Sequence, residues 1–365
     1  MPTPPATAVP LVVNDAFFQS RMQAAGAPGA AMAIVKNGIL LWSKGYGYAD
    51  LQAARPATPD TLFMLASISK TFVATALLQL AERSPAGLAV LDQDISVGLP
   101  FTVRNPHYPS VPITYRMLLT HTSSLIDGPY FQDFQWTQGD SPVPLQSFIV
   151  AYMQDARNWS SSMPGTEYSY SNGGSTLAGY IVERASGMNL QQYSQAFIFQ
   201  PLGMVESSWF LSGLNPAHIA MPYSIGAGAY VPAGFYGFPD YPDGQLRTSA
   251  AQLARYLPML AGNGSFAGTQ VLAPATIGEM RRHQFGAGHD YQGLILYSSN
   301  SGGAAMLGHN GATLGGSTDM WFEPQTGAGY VLLTNGDAYL NGNDAQVAAM
   351  TELNDELARL ALTAH

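Results

Sequence analysis

The segments of this chain that are predicted to form strands lie near its two ends. Ala30 to Val35 and Ile39 to Trp42 flank Asn37-Gly38, a dipeptide typical of tight β-hairpins, and Gly45 to Tyr48 is expected to extend the second strand. Three further runs near the other end are predicted strands: Ala304 to Gly308, Thr318 to Phe322 and Gly329 to Thr334. Strands so far apart in sequence can share a core only if they pair in one sheet, which we expect to be antiparallel.

Helical patterns frame and separate these strands. A first helix is predicted from Asp15, its expected N-cap, to Ala25, and a last helix begins at about Asp344. The last helix carries an apolar stripe formed by Val347, Met350, Leu353, Leu357 and Leu360. Between the two sets of strands, helices are predicted from Ser67, at Thr114 to Leu119, at Ser175 to Ala185 and at Ser249 to Leu260.

These patterns predict an α+β fold, in which terminal helices cover the antiparallel sheet and a mainly helical lobe packs beside it. We expect residues 1–14 to be an extension and residues 15–365 to be one domain. Its α/β lobe is expected to comprise about 15–60 and 261–365, and its helical lobe about 61–260. Ligands favour clefts of the kind that such lobes enclose, so the active site is expected there.

The composition argues against several classes of function. The 365 residues carry a net charge of −9 without a basic patch, which argues against a nucleic-acid partner. The apolar runs are too short to span a membrane. Cysteine is absent and the seven histidines lack metal-ligand spacing, so we expect neither a metal nor another cofactor. No signal peptide is visible, and the low charged fraction of 11% leans towards a periplasmic or secreted protein without deciding the location.

Ser67-Ile68-Ser69-Lys70 is the segment that most clearly indicates chemistry. A serine and a lysine three residues apart lie on one helix face, about one turn from each other. The start of a helix would surround the Ser67 hydroxyl with free N–H groups. A neutral Lys70 amine would accept the hydroxyl proton, which would give a nucleophile activated without a histidine.

Two later segments supply side chains that complement this pair. Tyr170 near a lysine ammonium is a candidate proton carrier, and Asn172 is a candidate for positioning the lysine or a substrate amide. On a predicted strand, Gly311 permits close approach of another backbone, next to His309. The N–H groups of Ala312 and Ser67 are then expected to form an oxyanion hole.

Each of these patterns also has an ordinary structural explanation when taken alone. A serine and a lysine at this spacing occur by chance, Tyr170 to Asn172 fits a common turn, and His309-Asn310-Gly311 fits the end of a strand. We expect Leu118 to Leu125 to be scaffolding and its His121 to be structural. The chain lacks a G-x-S-x-G elbow, which argues against an ordinary α/β-hydrolase.

Two stretches are rich in aromatic residues, Pro129 to Trp136 and Tyr223 to Tyr241. They are candidates for an apolar wall that holds an aryl or acyl group. The alternative, that they pack a long proline-rich loop, is equally consistent with the sequence.

Taken together, the three motifs resemble those of the serine β-lactamase and penicillin-binding protein superfamily, particularly its class C-like esterase and D-peptidase branch. In that family an S-x-x-K helix is followed by Tyr-x-Asn and then by a Lys-Thr-Gly or His-x-Gly strand. Flanking stretches such as Ile113 to Leu125, Pro164 to Gly187 and Gly244 to Tyr256 are similar as well. The resemblance covers about residues 15 to 355 and implies the same fold and an acyl-enzyme formed on serine.

The resemblance implies that Ser67, Lys70 and Tyr170 are catalytic, and that Asn172, His309 and Gly311 position the substrate. The third motif has His309 and Asn310 where β-lactamases have lysine and threonine. A neutral histidine and an amide hold a substrate carboxylate less well, which disfavours efficient β-lactam hydrolysis.

We therefore expect hydrolysis of a small-molecule ester, amide or peptide. D-stereospecific peptide or D-Ala-D-Ala cleavage and β-lactam hydrolysis are alternatives, and acyl transfer or a non-catalytic binding role are further ones. The sequence leaves the oligomeric state open.

Overall fold

The protein is built around one large sheet. The structure, a computed structural model, describes residues 11–128, 136–226, 228–285 and 292–364. The strands of the sheet are β1 Gly29–Lys36, β2 Ile39–Asp50, β3 Arg55–Pro56, β4 Tyr297–Ser301, β5 Ala304–Thr313, β6 Gly316–Phe322 and β7 Gly329–Thr334. They are arranged in the order β4-β5-β6-β7-β1-β2-β3, and each neighbouring pair is antiparallel. The predicted α+β fold class is confirmed.

The two ends of the chain meet in the middle of this sheet. Strand β1 pairs with β7 from Ala30 opposite Thr334 to Val35 opposite Gly329, and on its other side with β2. The turn between β1 and β2 is the predicted Asn37-Gly38, with φ values of 52° and 80° that suit a tight hairpin. The expectation that distant strands join in one sheet is therefore confirmed.

Strands β3 and β4 were not predicted. Strand β4, with the sequence Tyr-Ser-Ser-Asn-Ser, is polar and lies at the edge of the sheet, where β5 is its neighbour. Strand β5 carries both the predicted run from Ala304 to Gly308 and, as expected, His309 and Gly311, and it ends at Thr313.

Most of the remaining structure is helical. The described α-helices of four or more residues are α1 Asp15–Ala24, α2 Ser69–Arg83, α3 Tyr115–Leu119, α4 Leu145–Gln154, α5 Asn172–Ser186, α6 Leu190–Ser194, α7 Ala250–Ala261, α8 Pro274–Arg281, α9 Ala338–Asn341 and α10 Asp344–Thr363. Short two-stranded ladders join Phe63–Met64 to Arg247–Thr248, Thr137–Gln138 to Tyr236–Gly237, Tyr223–Gly226 to Ala229–Pro232 and Ser265–Phe266 to Thr269–Gln270.

Two details of the terminal helices differ from the prediction. Asn14 rather than Asp15 caps α1, because the Asn14 side chain accepts the Phe17 N–H, while the Asp15 carboxylate binds Lys44 and Tyr46. In α10, Val347 is 38% exposed, so the buried stripe begins one turn later, at Met350.

Each face of the sheet is covered. Alternate residues of β1 belong to different cores, because successive side chains of a strand point to opposite faces. Met32 and Ile34 pack in a core with α1 and α10, and Ala33 and Val35 pack in a larger core with α2 and α7. The sheet is thus the middle layer between the terminal helices and the helical segment.

Where the chain is described, no helix is both long enough and apolar enough to cross a membrane. The division into lobes at about residues 60 and 261 is a proposal.

Asp319 of β6 joins the sheet to the helices near the end of the chain. Its carboxylate accepts hydrogen bonds from Trp321 Nε1 at 2.9 Å, Tyr339 Oη at 2.8 Å and Asn354 Nδ2 at 3.1 Å. Burial nevertheless raises the pKa of Asp319 from 3.8 to about 6, because dipolar donors compensate only part of the lost hydration.

We predict that Asp319→Ala changes the pH dependence of stability. Between about pH 4 and pH 6 the folded protein keeps a proton on Asp319 that the unfolded chain has released, so this group destabilises the fold as pH rises. The loss of unfolding free energy caused by Asp319→Ala should therefore be about 2 kcal/mol greater at pH 4 than at pH 7. Urea denaturation at both pH values measures this difference. Asp344→Ala, at an exposed position, is the control; an equal loss at both pH values for Asp319→Ala would contradict the prediction.

Candidate active site

Ser67 lies in a single 3₁₀ turn, Ala66–Ile68, directly before α2. Ala66 has a φ of 48°, which is uncommon for a residue with a Cβ and bends the chain sharply before the serine. Lys70 lies in the first turn of α2 and is completely buried, and its Nζ is 2.9 Å from Ser67 Oγ. The one-turn spacing therefore places the two side chains in direct hydrogen-bond contact.

The structure favours a charged Lys70. Its Nζ donates to the backbone oxygen of Asp243 at 2.6 Å and lies 5.2 Å from the centre of the Tyr170 ring. Burial lowers the pKa of Lys70, but attraction to Tyr170, Asp243 and Asp127 together outweighs burial and raises that pKa above its ordinary value. This direction favours the ammonium form of Lys70, whereas the sequence analysis expected a neutral amine, and the part of Lys70 in proton transfer stays a prediction.

Tyr170 lies just before α5 and is 36% exposed in the cleft. Lys70 Nζ is 5.2 Å from the centre of the Tyr170 ring. The ring centres of Tyr170 and His121 are 4.4 Å apart, and the two rings are tilted by 37°. The segment around Tyr170 is fixed by His121, whose Nδ1 accepts the Ser171 N–H at 3.2 Å and whose carbonyl accepts the Ser169 N–H at 2.8 Å. Burial lowers the pKa of His121 well below its usual value, which keeps this acceptor neutral. His121 therefore has the structural role that the sequence predicted.

Asn172 is the first residue of α5, and its contacts differ from the expected ones. Its backbone N–H and its Nδ2 both donate to the Asp127 carboxylate at 2.8 Å, and the Gly173 N–H donates to the same carboxylate at 3.2 Å. Sequence reasoning missed Asp127, because a single aspartate in a loop matches no motif. The Asp127 carboxylate accepts hydrogen bonds from N–H groups at the start of α5 that have no partner within the helix. It also contributes negative charge near Lys70.

Beyond the end of β4, one edge of strand β5 lines the cleft. Tyr297, the first residue of β4, pairs with Gly308, so β5 residues 309–313 continue past the end of β4. The Asn310 N–H donates to Tyr297 Oη at 3.3 Å on this unpaired side. Because N–H directions alternate along a strand, the Ala312 N–H points to the same side.

Gly311 allows β5 to approach the turn that carries Ser67. A Cβ at position 311 would lie 2.5 Å from the carbonyl oxygen of Leu65 and 2.8 Å from the Cβ of Ala66. The approach is fixed by Thr318, whose Oγ1 donates to the same Leu65 oxygen at 2.7 Å. The predicted need for glycine at this position is confirmed.

His309 is neutral in this setting. It is 2% exposed, and burial, together with the charge of Lys70, lowers its pKa to about 3. The Nδ1–H donates to the Asn310 oxygen at 2.5 Å, so Nε2 is an acceptor, and it has no hydrogen-bond partner among the described residues. The sequence left this charge open, because it depends on burial.

Two cavities meet at Ser67, and both are lined by Ser67 and Ala312. The first has a volume of about 460 Å³, and we name it the aromatic cavity after Tyr168, Tyr170, Phe285, Tyr297 and His309. The second has a volume of about 310 Å³, and we name it the acidic cavity after its buried carboxylic acids; Trp136, Asn172, Phe238, Asp240 and Asp243 line it. A carbonyl carbon bound at Ser67 would therefore have room for a substituent on either side.

The aromatic stretches predicted to form the wall contribute little to these cavities. Of the aromatic residues between Tyr223 and Tyr241, only Phe238 lines either cavity, and Tyr223 packs with Tyr230 instead. Trp136 lines the acidic cavity, whereas Pro129 to Gln135 lie outside the described residues. The described aromatic lining comes mostly from Tyr168 to Tyr170, Phe285 and Tyr297, which share no sequence pattern.

A comparison with known families agrees with this geometry. Residues 14–353 match the sequence profile of the Beta-lactamase family. The match covers most of the chain, so the protein belongs to this family and the predicted relationship is confirmed.

Individual relatives are more distant. Protein flp of Staphylococcus aureus strain MRSA252 is 28% identical over 244 residues, which is 67% of this chain and 47% of that protein. Esterase EstB of Burkholderia gladioli is 33% identical over 230 residues, or 58% of this chain and 54% of that protein. The chain thus spans about half the length of these curated relatives.

A solved structure covers nearly the whole fold. The octameric penicillin-binding protein homologue from Pyrococcus abyssi superposes with a TM-score of 0.78 at 26% identity, covering 96% of this chain and 78% of that one.

We predict that Gly311→Ala weakens the site and the fold together. The added Cβ would force β5 away from the Ser67 turn, and small displacements of reacting groups are costly. The rate at which a fluorophosphonate modifies Ser67 should fall about 100-fold, and the melting temperature should fall as well. Gly278→Ala, where nothing lies within 4 Å of the new Cβ, is the control. Unchanged labelling by Gly311→Ala would show that the close contact has no role.

Proposed function

We propose that the protein is a serine hydrolase that cleaves carboxylic esters or amides through an acyl-enzyme on Ser67. The observation that carries the proposal is the 2.9 Å contact between Ser67 Oγ and Lys70 Nζ at the point where two cavities meet. A hydroxyl in contact with an ammonium and open to a cleft suits nucleophilic attack on a carbonyl carbon.

In the proposed attack, the Lys70–Tyr170 pair holds one proton less than its fully protonated form and accepts the proton of Ser67 as Oγ bonds to the carbonyl carbon. Tyr170 then passes that proton to the leaving group as the bond to the leaving group breaks. Lys70 Nζ is 2.9 Å from Ser67 Oγ and 5.2 Å from the centre of the Tyr170 ring, so it lies beside both groups. The Asp243 oxygen holds the amine in place from the other side.

The N–H groups of Ser67 and Ala312 are the proposed oxyanion hole. Ser67 lies at the amino end of α2, where backbone N–H groups lack intrahelical partners, and the Ala312 N–H faces the unpaired side of β5. Both residues line both cavities, so a carbonyl oxygen between them would receive two hydrogen bonds as it becomes negative.

The position of Tyr170 assigns the two halves of the substrate. A general acid must contact the leaving group that it protonates, and Tyr170 lines the aromatic cavity but not the acidic one. The leaving alcohol or amine therefore occupies the aromatic cavity, and the acyl group occupies the acidic cavity. After the leaving group departs, water enters the aromatic cavity and Tyr170 activates it for deacylation.

The charges of the site favour esters and simple amides over substrates that carry a carboxylate. His309 is neutral, and the described lining of the aromatic cavity contains neither lysine nor arginine. A leaving portion with a carboxylate would lose its hydration without gaining a cation. The esterase named among the relatives supports the same choice, although it matches only part of this chain.

We predict that Ser67→Ala abolishes turnover. In a panel of p-nitrophenyl esters, nitrocefin, D-Ala-D-Ala peptides and D-amino acid amides, the wild type should favour the esters. Ser67→Ala should reduce kcat/KM at least about 10⁴-fold, because a covalent route has no substitute. Mass spectrometry after fluorophosphonate treatment should find the label on Ser67. Retained activity in Ser67→Ala, or a label on another residue, would refute the proposal.

We predict that Tyr170→Phe slows the reaction about 10²–10⁴-fold, the range expected when a positioned acid or base is lost. The substitution keeps the ring next to His121 and Lys70 and removes only the phenol oxygen. Stopped-flow kinetics with a p-nitrophenyl ester separate acylation from deacylation, and both should slow. Tyr48→Phe, on β2, is the matched control. Near-normal turnover in Tyr170→Phe would exclude this tyrosine from proton transfer.

A further inference from the structure

The aromatic cavity contains two side-chain amides that the proposed reaction does not use. They belong to Asn310 of β5 and to Gln292, which precedes β4, and both residues line the cavity. Both are also joined to Tyr297. Gln292 pairs with Tyr297 in an antiparallel bridge of the backbone, and the Tyr297 hydroxyl is hydrogen-bonded to the Asn310 side chain. The two amides therefore lie beside one tyrosine in the wall of the leaving-group cavity.

Tyr297 fixes which end of the Asn310 amide is free. Its hydroxyl donates to Asn310 Oδ1 at 2.5 Å, and its oxygen accepts the Asn310 backbone N–H at 3.3 Å. A phenol hydrogen needs an acceptor, and an amide nitrogen is not one, so Oδ1 faces the tyrosine. Among the described residues, Asn310 Nδ2 has no hydrogen-bond partner, and it is not one of the unpartnered atoms that are buried away from solvent. Its two N–H donors are thus open to a ligand in the cavity.

Gln292 is fixed in the opposite sense. It is 6% exposed, and its Nε2 donates to the carbonyl oxygen of Gly293 at 3.2 Å. A carbonyl oxygen only accepts hydrogen bonds, so the nitrogen faces Gly293 and Oε1 is the free end. Within the described part of the chain, Oε1 has no partner and is not one of the unpartnered atoms that are buried away from solvent. Gln292 therefore offers an acceptor where Asn310 offers donors.

The rest of the described lining suits a flat, neutral group. Tyr168, Tyr170, Phe285 and Tyr297 supply aromatic rings, against which planar groups stack well. The described lining contains no lysine, arginine, aspartate or glutamate. A charged leaving group would lose its hydration there without gaining an opposite charge. A neutral group that has both a donor and an acceptor would instead bond to both amides.

We propose that the leaving group of the substrate carries a neutral amide on a flat, apolar scaffold. The carbonyl oxygen of this amide accepts a hydrogen bond from Asn310 Nδ2, and its N–H donates to Gln292 Oε1. Asn310 and Gln292 are then specificity-determining residues. This inference rests on the proposed function, since it assigns a class of leaving group to the same reaction.

The two contacts predict which close analogues the enzyme rejects. A leaving group of the same shape without the carbonyl covers the Asn310 donors and leaves them unpaired, and one without the N–H does the same to Gln292 Oε1. A covered polar group has lost its bond to water, so each missing partner lowers kcat/KM.

The test uses three acetate esters with leaving groups of one shape: 4-(acetoxymethyl)benzamide, 4-acetylbenzyl acetate and 4-isopropylbenzyl acetate, each also as its 3-substituted isomer. The amide has an acceptor and a donor, the ketone has only the acceptor, and the isopropyl group has neither. The benzylic CH₂ separates the substituent from the ester oxygen, so the leaving alcohols have similar acidity. With the wild type, kcat/KM should fall about threefold to tenfold at each step in at least one isomer series.

The variants assign each step to one residue. Asn310→Leu should remove the difference between the ketone and the isopropyl ester, and Gln292→Met should remove the difference between the amide and the ketone. Ratios are compared because a purely structural defect slows all three esters alike. Asn300→Leu, at an exposed position of β4, is the matched control and should leave both ratios unchanged. Tyr297→Phe releases the Asn310 amide but keeps the ring, so it should reduce the ketone step and replaces Asn310→Leu if that variant does not fold.

Two results would overturn the amide site while leaving the hydrolase proposal intact. One is a kcat/KM that does not fall from the amide to the isopropyl ester in either isomer series. The other is a step that persists in the variant assigned to it. Failure to cleave any ester would instead refute the hydrolase proposal, and binding then decides the amide site alone. In calorimetric titrations of the wild type, 4-(hydroxymethyl)benzamide should bind at least about threefold more tightly than 4-isopropylbenzyl alcohol, and equal affinities would reject the site.

Discussion

The arrangement of the site depends on burying one positive charge. An ammonium removed from water costs several kcal/mol unless it is surrounded by acceptors and opposite charges. Lys70 has no exposed surface, and its neighbours are Ser67 in the turn before α2, the Tyr170 ring before α5 and the backbone oxygen of Asp243. Satisfying this single charge therefore ties three parts of the chain together beside the nucleophile. The same requirement explains why acids without a direct part in the reaction, such as Asp127, lie close to it.

The features that were predictable from sequence are those that local patterns determine. The hairpin at Asn37-Gly38, the joining of the terminal strands and the last helix follow from turn chemistry and periodicity, which act over a few residues. The contact between Ser67 and Lys70 follows from helix geometry alone. The need for Gly311 was also predictable, because a glycine in a strand indicates close approach of another backbone.

The remaining features depend on the tertiary structure. Strand β4 is polar, so no apolar pattern marks it. The bond from Lys70 to the Asp243 carbonyl involves a backbone atom that every residue possesses, and no motif can indicate it. The charges of Lys70 and His309 depend on burial and on neighbours that are distant in sequence, which is why the sequence suggested a neutral lysine and left the histidine open.

The pairing of β1 with β7 has a consequence for how the protein forms during synthesis. The partners Ala30 and Thr334 are about 300 residues apart, so the central ladder has a very high contact order. On the ribosome, the hairpin of β1 and β2 and most of the helices are translated first, and one edge of β1 stays unpaired until β7 has been translated. Strand β5, which carries Gly311 and Ala312, is translated more than 200 residues after Ser67. Ser67 therefore reaches its complete surroundings only after β5 has been made, and a chain released before β7 lacks the central ladder.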